Sequence, residues 1–258
     1  MLNKRRSTGL LIMPILLWAV ACSDTPSDPL DAAEEARLNL DVAHYVADQT
    51  VDDIAVMTFE TQGLFGGPMA GPPGGGMRGF GFDGSLSVTR TVEFFDVTGA
   101  PMDSYHFTDT DSIHIYFLLE GERSRTTERG SMTMEVSRER NMGVSGLADI
   151  EIERTWNGTG ASSKERALVS DEWGDRSYYM TSTSTITNVV IPVPRTEDSW
   201  PVSGTIERTV HVEWVKDGET HTRDCTVSIT FNDTQFVTIE INGEEFTFDL
   251  ATKKIVED

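Results

Sequence analysis

The feature that most constrains this chain is the alternation of apolar and polar residues from Ser85 to the C-terminus. Apolar residues recur at every second position in a series of stretches, for example at Ile113, Ile115, Phe117 and Leu119. Successive side chains of a strand point to opposite faces, so a period of two predicts strands with one buried and one solvated face. Antiparallel sheets commonly have this pattern. We therefore predict a mainly β protein with an antiparallel sheet over residues 85–258.

About ten strands in sequential up-and-down order account for the pattern. The first six are placed at 85–97, 111–120, 129–139, 146–156, 160–170 and 176–191. Ile150 and Ile152 share the apolar face of the fourth strand, and the proline-rich stretch 192–202 is an irregular connection before the last four strands. Because a flat sheet of this size would curl or split, we expect a strongly curved sheet or incomplete barrel, with a two-sheet sandwich as the alternative.

Turn residues predict the register of the last four strands. A two-residue turn at Asp217-Gly218 places Val210 opposite Cys225, and a second such turn lies at Asn242-Gly243. This register puts Cys225 on the apolar face. We interpret its thiol as a buried small apolar group and not as a reactive one.

The connection between these two hairpins is predicted to be a three-residue loop over 232–234. This loop length pairs Ile229 with Val237 and Val227 with Ile239. A two-residue turn would move the apolar residues of the next strand to the solvent face, because a slip of one residue exchanges the two faces.

Residues 30–61 favour helix and residues 62–84 favour a flexible loop. An alanine-rich run extends to about Asp48, and the motif Thr50-Val-Asp-Asp53 resembles a helix cap. We predict two short helices packed on the β domain, with a strand over 38–42 as the alternative. The glycine- and proline-rich loop contains a G-x-G-x-x-G motif at 79–84, but no strand precedes it and no helix follows it, so we do not interpret it as a nucleotide site.

The first 22 residues have the composition of a secretory signal. Lys4, Arg5 and Arg6 precede a short apolar run, and small residues precede Cys22; the run is too short for a spanning helix. Ala21-Cys22 resembles the lipobox of bacterial lipoproteins, in which a peptidase cuts before a lipidated cysteine. The resemblance implies a signal peptide over 1–21, a lipidated tether over 22–29 and membrane attachment through lipid at Cys22. An ordinary secretory signal is the alternative.

The order of segments is similar to that of bacterial envelope lipoproteins. Three motifs carry the resemblance in the β region: Trp156-Asn-Gly-Thr159, Ile191-Pro-Val-Pro194 and Phe246-Thr-Phe-Asp-Leu250. The resemblance implies the bacterial cell envelope, and Ser23 beside the cysteine is compatible with the outer membrane. It implies no activity.

The charge of the chain makes nucleic acid a poor partner. The sequence has 42 acidic and 21 basic residues, a formal net charge of −21. Binding to a phosphate backbone depends on Lys and Arg, which displace counterions. The same charge disfavours anionic lipid headgroups, so attachment is expected to depend on the acyl chains.

No residue pattern predicts a catalytic, metal or cofactor site. The five histidines lack ligand spacing. His211 and Glu213 beside Asp224 are a conceivable polar cluster, with a solvated cross-strand pair as the alternative. Asp109-Thr-Asp111-Ser-Ile113 begins like a calcium loop, but an isoleucine stands where an oxygen ligand is needed.

These observations favour a non-enzymatic module that contacts other envelope components through a large polar β face. A carrier of a lipid or other apolar ligand is the first alternative, and it requires an apolar concavity beneath residues 30–60. An enzyme is the less favoured alternative, because it needs polar groups that converge in a pocket.

Overall fold

A computed structural model describes residues 32–57, 85–127, 130–169, 176–194, 199–216, 219–252 and 254–256. The predicted signal peptide over 1–21, the tether over 22–29 with its lipidation site at Cys22, and the loop over 62–84 lie outside the described residues.

The described residues form one helix and 11 strands. Their bounds are α1 (Ala32–Met57), β1 (Ser85–Asp96), β2 (Pro101–Met102), β3 (Thr110–Thr127), β4 (Gly130–Ser145), β5 (Glu153–Val169), β6 (Arg176–Pro192), β7 (Ser203–Lys216), β8 (Glu219–Thr230), β9 (Phe236–Ile241), β10 (Glu244–Asp249) and β11 (Lys254–Ile255).

All 11 strands belong to one antiparallel sheet in the order β11-β10-β9-β8-β7-β6-β5-β4-β3-β1-β2. Neighbours in the chain are neighbours in the sheet, apart from β2, which pairs with the outer edge of β1. The prediction of a mainly β, sequential antiparallel sheet is confirmed. The sheet is open, and the described strands do not divide into the two layers of a sandwich.

The predicted strands at 129–139, 146–156 and 160–170 are corrected to two longer strands, β4 and β5. Ile150 and Ile152 are not on an apolar face: they lie in the connecting loop and are 85% and 73% exposed. The prediction ended the third strand too early because Arg140 stands at an inward position of β4. A charged residue there interrupts the apolar alternation, although Arg140 is buried.

The two predicted helices are one continuous helix, and residues 38–42 are helical and not a strand. Thr50 is not a cap, because its hydroxyl donates a hydrogen bond to the carbonyl oxygen of Val46 at 2.8 Å, one turn back within the helix. The helix lies on one face of the sheet, which we call the inner face. Its apolar residues in the core are Leu38, Val42, Ala43, Tyr45, Val46, Ala47, Ile54 and Met57.

The core is formed by α1 and the inward residues of the strands. Trp156 and Cys225 are each 1% exposed, so the interpretation of Cys225 as a buried residue is confirmed. The strand residues of this core include Ile113, Ile115, Met142, Val144, Ile186, Val189, Ile206, Val210, Val212, Val227, Ile229, Val237, Ile239, Ile241 and Phe248.

The register predicted for two of the three hairpins is confirmed. Val210 lies opposite Cys225, as predicted for the pairing of β7 with β8. Ile239 lies opposite Phe246 across the turn between β9 and β10. At the second of these pairings, the two-residue turn Asn242-Gly243 has positive φ at both residues, which suits the twist of the flanking strands.

The register predicted between β8 and β9 is wrong by two residues. Ile229 pairs with Ile239 and not with Val237, and the connecting loop spans 231–235. Phe231 extends the pairing of β8 with β7, because its backbone N–H donates to the carbonyl oxygen of Gly204 at 3.0 Å, and its ring is buried. The loop that follows is held by a distant contact, in which the backbone N–H of Asp233 donates to the carbonyl oxygen of Pro201 at 3.0 Å. A shift of two residues keeps the same side chains inside, so the predicted faces are correct although the pairs are not.

Candidate functional site

The face of the sheet opposite α1, which we call the outer face, is covered by threonines. One row crosses five neighbouring strands in direct register, and its members are Thr187, Thr205, Thr230, Thr238 and Thr247. Threonine suits a pleated surface that is half exposed, because its branched side chain packs on the pleat while its hydroxyl reaches water. The outer face therefore presents a regular array of hydroxyl groups.

A shallow groove, which we call the outer groove, crosses this face from β4 to β9. Its larger part has a volume of about 670 Å³ and its smaller part about 390 Å³. Thr183 and Thr209 line both parts, so the two are continuous. Hydroxyl groups from neighbouring strands line the larger part, and they belong to Thr159, Thr183, Thr185, Thr209, Thr226 and Ser228.

Carboxylates and an amide complete the lining of the outer groove. Glu207 and Glu240 line its larger part and Glu139 its smaller part. Asn242 is held at one end, where its side-chain oxygen accepts a hydrogen bond from the backbone N–H of Thr226 at 3.0 Å. Hydroxyl groups both donate and accept hydrogen bonds, whereas ionised carboxylates only accept. The groove is therefore suited to polar binding.

The polar cluster considered from the sequence is only partly assembled. His211 lies at the smaller part of the groove, and its Nδ1 is 2.7 Å from a carboxylate oxygen of Asp224 on the neighbouring strand. The two side chains are 42% and 75% exposed, which makes them a solvated cross-strand pair. Glu213 lies opposite Thr222 instead.

Within the described part of the chain, no group of three His, Cys, Asp or Glu side chains is arranged to hold a metal ion. In the segment that begins like a calcium loop, Asp109 is exposed at a turn, whereas Ile113 is 2% exposed in the core. The isoleucine belongs to the packed inner face of β3 and not to a ligand set.

The inner face carries a buried ion-pair network that the sequence analysis missed. Asp53 of α1 lies between two arginines of the sheet: its Oδ1 is 2.5 Å from Nε of Arg140, and its Oδ2 accepts a hydrogen bond from Nη2 of Arg208. Gln49 accepts hydrogen bonds from Arg208 at 2.9 Å and from the hydroxyl of Ser182 at 3.1 Å. All these side chains are less than 9% exposed.

The surroundings of this network are closely packed. A Cβ added to Gly160 would lie 2.8 Å from Cδ of Arg140 and 2.7 Å from Oγ of Ser184, so a glycine is needed there. At the rim, Arg138 pairs with Asp52, and burial together with the nearby charge of Arg140 lowers the pKa of Arg138 to about 10. Polar and charged side chains thus fill the contact between α1 and the middle of the sheet.

A signal for this network exists in the sequence. Arg140 and Arg208 stand at positions where the alternation of β4 and β7 requires an inward side chain, next to Met142 and between Ile206 and Val210. Arginines at inward positions of two strands require an acidic partner from another element. Asp53 of α1 supplies it.

A third and smaller cavity, of about 200 Å³, lies beside α1. Lys164 reaches it from β5, with its Nζ 3.5 Å from a carboxylate oxygen of Asp48 and 5.9 Å from the ring centroid of Tyr45. Burial raises the pKa of the Tyr45 hydroxyl. The charged groups that line this cavity are mixed in sign.

Comparison with known protein families, with curated proteins and with solved structures finds no match for this chain. No helix among the described residues is long and apolar enough to cross a membrane.

Proposed function

We propose that this protein is an envelope-anchored, non-enzymatic module that binds another envelope component through the outer groove. The observation that carries the proposal is the contrast between the two faces of the sheet. The inner face is buried by α1, whereas the outer face leaves a continuous, exposed groove of hydrogen-bonding side chains across six strands. Such a groove offers many weak polar contacts to a partner.

The proposed anchor is lipid at Cys22, in the outer membrane of a bacterial envelope. It rests on the lipobox-like Ala21-Cys22 and on the positively charged, apolar segment before it. Nine residues lie between Cys22 and the first residue of α1, so a fully extended chain would place α1 at most about 35 Å from the proposed anchor.

No observation among the described residues favours the carrier of an apolar ligand. The carrier requires apolar space beneath residues 30–60. In the described part of that region, Gln49, Asp53 and their arginine partners occupy the middle of the contact between helix and sheet, and buried apolar residues of α1 pack against the strands around them. The carrier stays an alternative that a direct measurement of bound lipid tests.

The proposed function is tested by affinity capture with a matched pair of variants. The protein with its anchor, purified in detergent, is used as bait in an envelope extract of the bacterium that makes it. The groove variant T185R/T209R introduces two bulky cations into the outer groove, and the control variant T89R/T91R introduces the same charge at exposed positions of β1.

The wild-type protein and the control variant are expected to enrich the same defined partner, and the groove variant is expected to lose it. Equal recovery by all three proteins would contradict the assignment of the groove. Recovery of nothing beyond what an unrelated acidic lipoprotein captures would contradict the proposed function itself.

A further inference from the structure

The outer groove is bordered by acidic groups. Glu139, Glu207 and Glu240 are exposed and come from β4, β7 and β9. The one arginine among the lining residues is Arg208, and its guanidinium is on the inner side, bound to Asp53. The groove therefore presents carboxylates to a ligand with no lysine or arginine side chain to compensate them.

The spacing of these carboxylates follows the long direction of the groove. Glu207 and Glu240 stand in one row across the sheet, separated by Ser228. Two strand spacings make this separation about 9.5 Å, and the five spacings from β4 to β9 make the groove about 24 Å long. An extended polypeptide of about seven residues has that length.

The groove between the carboxylates is lined by hydroxyl groups. Thr183, Thr209 and Thr226 follow one another across three neighbouring strands, one strand spacing apart. Because threonine hydroxyls donate and accept, they can bond to both the N–H and the C=O groups of a peptide backbone. A neutral glycan would use the same hydroxyl groups but would gain little from the three carboxylates.

The charge of the whole chain also favours a positively charged partner. A net charge of −21 attracts basic partners from a distance and repels acidic ones. Charges in a groove then set the register of the bound segment more than its affinity. The carboxylates, the hydroxyl groups and the net charge together favour a basic polypeptide as the occupant of the groove.

We propose that the outer groove binds an extended, lysine- or arginine-bearing segment of a partner protein. The segment lies across the strands, its backbone bonds to the threonine hydroxyls, and its cationic side chains pair with Glu139, Glu207 and Glu240. This inference rests on the proposed function and names the chemistry of the partner.

The test uses a defined probe, a rhodamine-labelled peptide of about nine residues that alternates lysine and threonine, and measures its Kd by fluorescence anisotropy at physiological salt. The groove variant is E139Q/E207Q/E240Q. The control variant is E120Q/E122Q/E153Q, which removes the same charge from exposed glutamates that do not line the groove. All six positions are exposed, so both variants are expected to keep the wild-type Tm.

The groove variant is expected to raise the Kd about ten-fold, since each of three exposed ion pairs contributes modestly. The control variant is expected to raise it less than about two-fold. Equal weakening in both variants would overturn the inference, because it would show attraction by net charge alone.

Two further arms separate this inference from the proposed function. If an N-acetylglucosamine oligomer binds in the groove and the peptide does not, the inference that the occupant is a polypeptide is overturned. Failure of the peptide together with loss of the captured partner in T185R/T209R would overturn the occupant and leave the binding function standing. Failure of both the peptide and the capture experiment would overturn both.

Discussion

Gly204, at the start of β7, shows how closely the backbone of one strand approaches its neighbour. Its φ is +103°, a region that L-residues rarely adopt. A Cβ there would lie 2.3 Å from the carbonyl oxygen of Asn188 and 2.5 Å from Cα of Val189. The position therefore excludes a side chain by its conformation and by its contacts.

Replacing Gly204 with alanine is expected to lower the free energy of unfolding by about 3 kcal/mol, because the backbone of β6 must move. Gly99 is a matched control: its φ is +80°, but a Cβ would meet nothing within 4 Å. G99A is therefore expected to cost only about 1 kcal/mol of backbone strain. Urea denaturation of both variants measures the difference, and equal costs would contradict the close approach at Gly204.

Cys225 provides a second prediction at the scale of one residue. Burial raises the pKa of its thiol, so little thiolate is present at neutral pH, and the side chain is 1% exposed. Iodoacetamide at pH 8 is expected to label Cys225 slowly in the folded protein and rapidly in denaturant, as followed by mass spectrometry of the Cys225 peptide. V210A, which opens space on the neighbouring strand, is expected to speed labelling of the folded protein. Rapid labelling of the folded wild-type protein would show that the thiol is accessible.

The elements illustrate what could be predicted from the sequence and what could not. Local signals were sufficient where a two-residue turn with glycine fixed a pairing, as at Asn242-Gly243. They failed where a residue makes a distant contact. Asp233 in the loop after β8 bonds to Pro201 in the connection before β7, and Arg140 meets Asp53, 87 positions away. In neither contact does a periodic pattern of the sequence identify the partner.

The candidate site was predicted only in general terms. A large polar β face was expected from the alternation, and the register shows that rows of threonines cross neighbouring strands on it. The outer groove was not expected, because it depends on which rows of different strands are aligned. The single misplaced register, between β8 and β9, is enough to displace Glu240 from its position opposite Ser228.

The contact between α1 and the sheet depends on the charge of Asp53. The D53N variant leaves Arg140 and Arg208 buried without a carboxylate, and it is expected to lower the free energy of unfolding by about 3–5 kcal/mol. Asp48 on the same helix is a matched control, because its carboxylate pairs with Lys164 at the surface and is 63% exposed. D48N is expected to cost at most about 1 kcal/mol.

Thermal or urea unfolding measures both variants. A triple variant, D53L/R140M/R208M, is expected to recover much of the loss, because apolar residues of similar volume can replace a buried ion network. If D53N costs no more than D48N, the network does not hold the helix on the sheet.

The two faces of the sheet differ over the whole molecule. The inner face is closed by α1 and its ion-pair network, and the outer face offers the groove. This division predicts that the purified protein carries no lipid bound non-covalently between helix and sheet.

Native mass spectrometry of residues 23–258, exported without the lipid anchor, tests that prediction. We expect the mass of the bare polypeptide, because the described contact between helix and sheet is closely packed: Val42 and Val46 are fully buried there, and Asp53 pairs with Arg140. A discrete lipid-sized adduct that disappears on denaturation would make the carrier the leading hypothesis.

Site-specific photo-crosslinking in the cell that makes the protein tests whether the outer groove is the binding surface. A photoreactive amino acid is placed at Thr185 within the groove and, as control, at Thr89 on β1; both side chains are exposed. We predict a discrete crosslinked species after irradiation at position 185 and none at position 89. A species that forms equally at both positions, or only at position 89, would contradict the account.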